Sequence, residues 1–256
     1  MRAETPCARN FPPKGPSENS VDTKTRHALK QDRFVTATTS GLEWIDANRA
    51  GVIRWAIAAV VVLGLLVAGL VVWHQRSQAA DQLLGQAMDI YQTPLALPGE
   101  PQPPGQKTYV SAADRAAAAY PLFEKAATQY GWFRAGQLAR YFAGVTAVDL
   151  GKTADAETEL EKASHSGDSS VAALAKLALA NLYAQDGRTS QAALLFQELI
   201  AHPTTTVPKS AARLQLAQMF ETTDPSAAKR IYAQIEDQDK DTDAAQIAAQ
   251  RLQKLK

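Results

Sequence analysis

Apolar positions change their spacing three times along the chain. Through residue 40 they are sparse, and segments such as "FPPKGP" alternate with Ser, Thr and Asn. So little apolar surface cannot offset the entropy lost on ordering, which predicts a disordered tail over residues 1–40. Ser40 and Glu43 then have capping-box spacing, and Leu42, Trp44 and Ile45 give the next turns one apolar side, predicting a short amphipathic helix over 41–53. Residues 54–73, "RWAIAAVVVLGLLVAGLVVW", are almost continuously apolar. From residue 74 onward Ala and Leu recur at steps of three and four, with almost no alternating β-branched runs, so the remainder is expected to be helical.

The central stretch has the dimensions of a membrane span. Nineteen residues from Trp55 to Trp73 carry no formal charge, and eleven of them are Val, Ile or Leu. At about 1.5 Å per residue they reach about 28 Å, the thickness of a hydrocarbon core. Trp55 and Trp73 stand where indoles favour the headgroup level, with Arg54 and Arg76 just outside. A secretory signal starts near the amino end and has a shorter apolar core, which argues against cleavage despite the small residues of Ser77-Gln78-Ala79. Lys24, Arg26, Lys30, Arg33, Arg49 and Arg54 precede the stretch closely, whereas Arg76 alone follows it before residue 104. That asymmetry predicts a cytoplasmic amino terminus and an exported carboxyl-terminal domain.

Two patterns repeat in the exported part. A small residue, an apolar one four later and another three later occur at Ala119, Phe123, Ala126; Ala156, Leu160, Ala163; Ala192, Phe196, Leu199; and Ala228, Tyr232, Ile235. Before each comes a small residue and a contact residue three on: Gly85 and Met88, Gly144 and Ala147, Ala180 and Tyr183, Ala217 and Phe220. Turn residues at Gly151, Gly187 and Asp224-Pro225 separate the two patterns. Small residues let helices lie close and the larger ones fill the space beside them, so each unit reads as a helical hairpin. The domain is expected over 74–237, split by a Pro-rich insert at 93–109, with a capping helix over 238–256.

These hairpins resemble the tetratricopeptide repeat, most closely at Leu179, Ala180, Tyr183, Gly187, Ala192, Phe196 and Pro203. In that register the concave surface takes Tyr141 and Val145, Leu177 and Asn181, Leu214 and Gln218 as a partner-binding groove. Repeats of this kind that clamp a terminal carboxylate use Lys where Leu177 and Leu214 stand, so the groove suits extended apolar segments better than a charged tail. With its single span and exported repeats, the chain over residues 40 to 256 resembles the bacterial ancillary SecYEG translocon subunit family. The resemblance implies a single-pass protein of the bacterial inner membrane beside the Sec translocon, whose periplasmic domain touches emerging chains or chaperones. A cell-envelope scaffold with one fixed partner is the alternative.

Charge and candidate chemistry change this picture little. Residues 74–256 hold 18 basic and 20 acidic side chains, without the basic stripe that phosphate neutralisation needs, which argues against nucleic acid. Cys7 is the one cysteine and lies in the tail, so the exported domain has no disulfide. "GKT" at 151–153 lacks the upstream glycine of a phosphate loop, and Asp237, Asp239, Asp241 and Asp243 lack the glycine and glutamate of a calcium loop. His27, His74, His165 and His202 are scattered. The expectation is an interaction protein with no catalytic set, no metal site and no cofactor, contacting the bilayer through 54–73.

Overall fold

The computed structural model describes residues 49–96, 108–240 and 242–255. The expected tail, Cys7, the lead-in as far as residue 48 and the middle of the Pro-rich insert lie outside the described residues. The fold is all-α, with helices α1 Arg49–Tyr91, α2 Ala112–Gln129, α3 Arg134–Asp149, α4 Thr153–Ser164, α5 Ser169–Gln185, α6 Thr189–Ala201, α7 Lys209–Thr223, α8 Pro225–Gln238 and α9 Asp243–Lys254. Residues 49–53 are thus the first turns of α1, and Gln238 closes α8. The chain divides into two compact units at Ala68/Gly69.

In the first unit, the described residues are the amino-terminal part of α1. Its 18-residue apolar window has a mean hydropathy of 2.8 and no buried share. Ile57, Leu63 and Leu66 are each about 60 % exposed. A surface this apolar and this exposed is unfavourable in water and suited to lipid, so α1 is long and apolar enough to cross a membrane once.

The second unit begins with the carboxyl-terminal part of α1, where no linker intervenes before Tyr91. Gln92 N–H still donates to Met88 O at 2.8 Å, and Pro94, which cannot donate, ends the run. Leu95 and Tyr109 form an isolated bridge, with Ala96 N–H on Tyr109 O at 2.8 Å, so the two ends of the insert are clasped together. Ser111 then caps α2: its hydroxyl accepts from Asp114 N–H at 3.1 Å and donates to the Asp114 carboxylate at 2.7 Å.

From α2 to α9 each helix packs on its successor, and α3 also meets α5 as α7 meets α9. All twelve residues of the Ala, large, apolar pattern are buried, with Phe123, Phe196 and Tyr232 at 0 % exposure. The approach is close where α3 crosses α4, since a Cβ on Gly144 would lie 2.6 Å from Leu160 Cγ. Two turns are made alike. Gly151 and Gly187 take φ of 69° and 74°, and one residue later Lys152 N–H reaches Ala147 O at 2.9 Å and Arg188 N–H reaches Tyr183 O at 2.8 Å. Only glycine adopts that backbone freely, and the bond back to the last turn closes each hairpin. Between α7 and α8 Asp224 does both jobs: its N–H ends α7 on Phe220 O, and its carboxylate accepts from Ala227 N–H ahead of α8.

One expected small-residue crossing is corrected. Gly85 is exposed, and a Cβ there would meet nothing within 4 Å among the described residues. The buried side of α1 runs instead through Ala80 and Ala87, with Tyr91 on the rings of Phe123 and Phe142 at 6.0 and 5.8 Å. Gly85 lies off that stripe, so no partner helix requires its missing side chain.

Candidate partner-binding groove

The first helices of successive hairpins, α3, α5 and α7, turn their buried sides onto their own second helices through Ala143 and Ala147, Leu179 and Ala180, and Ala217. Residues off that side but one turn apart, such as Tyr141 and Val145, or Leu177 and Asn181, share another face. Tyr141, Val145, Leu177 and Asn181 are brought together with Leu174 and Ala178 around an open depression of about 250 Å³. A second depression, about 600 Å³, lies between α5 and α7 and is lined by Asn181, Gln185, Gln215, Gln218, Met219 and Thr222 among others. Asn181 and Gln185 line both, so the two depressions adjoin. No charged side chain lines either one among the described residues.

The groove therefore changes chemistry along its length. At the α3 end it is apolar, and burial raises the pKa of the Tyr141 hydroxyl, keeping it a neutral phenol. Toward α7 it becomes a row of side-chain amides, each carrying both donors and an acceptor. Leu214 departs from its equivalents, since it is 9 % exposed and packs with Tyr232, Ile235 and Ala248 in the core shared by α7, α8 and α9. Its neighbour Gln215 lines the depression instead. Gln185 and Thr222 were not anticipated, although each continues a four-residue step, from Asn181 and from Gln218.

Carboxylates outside the groove lining tie the helices together. Glu157 on α4 receives both terminal nitrogens of Arg188, at 2.8 and 2.9 Å, and the Tyr183 hydroxyl at 3.0 Å. Tyr232 donates in the same way to Glu221 at 2.5 Å, which also pairs with Arg251 of α9. Among the described residues there is no group of three or more His, Cys, Asp or Glu arranged to hold a metal ion. Gly151 of "GKT" is the turn glycine between α3 and α4, and Asp237 and Asp239 pair with Lys240 and Arg213.

Comparison with curated proteins and with solved structures gives no match. A family model described as a tetratricopeptide repeat-like domain matches residues 44–202, from ahead of the apolar stretch to the end of α6. Repeats of this kind serve protein–protein interaction. With most of its length inside that match, and hairpins closed by equivalent glycine turns, the chain belongs to the tetratricopeptide repeat-like domain family.

Proposed function

We propose that the protein is a single-span interaction protein of the bacterial inner membrane, with a cytoplasmic amino terminus and a periplasmic repeat domain that receives extended chains. The observation carrying this reading is the pair of adjoining depressions over α3, α5 and α7, one apolar and the other amide-lined, with no charged side chain in either lining. Apolar pockets hold side chains, while Asn181, Gln185 and Gln218 can bond the main chain of whatever lies beside them, independent of its sequence. Such a surface suits emerging or partly folded chains, and chaperones that present an extended segment.

A station beside the Sec translocon is supported by the architecture: an apolar stretch with basic residues on its amino side, followed without a linker by repeat hairpins. Transient clients are favoured over one fixed scaffold partner because amide contacts select little for sequence.

Photo-crosslinking in living cells tests both parts. Crosslinkers at Leu177, Asn181 and Gln218 are expected to capture several exported chains or chaperones in low yield, and one at Ala58 in α1 to capture channel subunits. A single partner captured in near-stoichiometric yield from the groove would establish the scaffold instead.

A further inference from the structure

The turn Tyr130-Gly131-Trp132-Phe133 between α2 and α3 carries a large side chain that packing does not explain. Trp132 is 91 % exposed, more than any other large apolar side chain among the described residues. Its neighbour Phe133 is seated on Trp73 of α1, ring centroids 4.6 Å apart, with the Tyr130 ring at 6.4 Å. Trp73 is the last residue of the apolar run, and Leu70, Val71 and Val72 just before it are all at least half exposed. One peptide unit, about 3.8 Å between Cα atoms, separates Trp132 from Phe133, so the backbone that carries the exposed indole is adjacent to the residue seated on Trp73.

The turn is also held firmly. Phe133 N–H donates to Tyr130 O at 2.8 Å, and Arg140 Nη2 donates to Ala127 O at 3.1 Å. A Cβ on Gly136 would lie 2.0 Å from Tyr130 O, so only glycine lets α3 start this close beneath the turn. The exposure of Trp132 is thus built into the backbone. Two residues on, Arg134 is 81 % exposed although its Nε holds Asp168 at 2.8 Å, and Arg76, three residues past Trp73, is exposed as well, so a guanidinium follows each of the two indoles closely in sequence, as suits a layer of phosphate headgroups.

We propose that Trp132, seated through Phe133 on Trp73, is a second membrane contact that rests in the headgroup layer where α1 leaves the bilayer. The occupant is lipid, because Phe133 next to it packs on Trp73, which follows directly on the exposed Leu70, Val71 and Val72 of the apolar run. A second contact at headgroup depth resists tilting of the repeat hairpins against the bilayer surface. This inference rests on reading α1 as a span.

Quenching by brominated lipid separates the two ideas. One full-length chain keeps Trp132 as its sole tryptophan (Trp44→Phe, Trp55→Phe, Trp73→Phe) and another keeps Trp55, each in vesicles of phosphatidylethanolamine and phosphatidylglycerol brominated near the top of the acyl chains. The expected result is quenching of both by lipid, with Trp132 emission shifted to the blue and protected from aqueous acrylamide. Quenching of Trp55 by lipid but of Trp132 only by acrylamide would overturn the second contact and leave the span standing. If lipid quenches neither, both ideas fall. Because Trp73→Phe alters the seat of Phe133, the unaltered chain is also compared with Trp132→Phe. A fall in the absolute lipid-quenchable emission is expected in that variant, and an absolute quenchable emission that stays the same, with only unquenched emission lost, would overturn the contact.

Discussion

Arg188, at the turn before α6, holds the carboxylate of Glu157 on α4 with both terminal nitrogens while its guanidinium lies 3.9 Å over the ring of Tyr183. One side chain thereby joins two hairpins. Its hydrogen bonds, with that of Tyr183, hold the Glu157 carboxyl below the usual glutamate range. A depressed folded pKa contributes stability that is fully present above the unfolded value, about 4.3, and is lost as pH falls through the folded value. Thermal midpoints measured from neutral to acid pH should therefore drop below about pH 4.3. Glu157→Gln should lower the midpoint at neutral pH and flatten the acid limb. An acid limb unchanged by the substitution would remove Glu157 from the account.

Gly144→Ala tests the close crossing of α3 and α4. The added Cβ would sit 2.6 Å from Leu160 Cγ and 3.2 Å from the Leu160 backbone nitrogen, which a rotamer change cannot relieve. Overpacking of about 1–3 kcal/mol should outweigh the helix-propensity gain of up to about 1 kcal/mol. Denaturant midpoints should fall, and Gly144→Ala should cost less in a Leu160→Ala background.

Gly85→Ala should do the opposite. With open space around it in the middle of a helix, the substitution should stabilise by up to about 1 kcal/mol. Urea titration of the full chain in detergent, following helix loss, measures it, and a destabilised variant would mean that α1 is closely covered there.

Orientation is read by labelling. In a Cys7→Ser background, Lys229→Cys on the exposed side of α8 should react with an impermeant maleimide once the outer membrane is opened. Reaction only after lysis of the inner membrane would reverse the proposed topology.

What the sequence made legible was whatever repeats locally. Ala156, Leu160 and Ala163 announce themselves because a helix brings steps of four and three to one face, and the same triplet returns 36 residues later at Ala192. Gly151 and Gly187 were readable for the same reason. Relationships between distant residues were not: nothing near Gly136 reveals that Tyr130 O occupies its Cβ position, and nothing near Glu157 points to Arg188. The groove was half legible. Leu177 and Asn181 follow from the register, but Leu214 is buried because α9 adds core beside α7, which no pattern within the fourth hairpin records. Gly85 misled because a small residue can be small without being covered.

The succession of neighbour-on-neighbour packing from α2 to α9 bears on how the domain comes into being. No helix waits for a distant partner, so contact order is low and the entropy of closing long loops is largely avoided. Each hairpin, already closed by its glycine turn, can settle on the one before it as the chain emerges, adding stability stepwise from the α1 end. Synthesis and folding can then proceed in the same direction, and at no stage need more than about one hairpin of apolar surface stand uncovered.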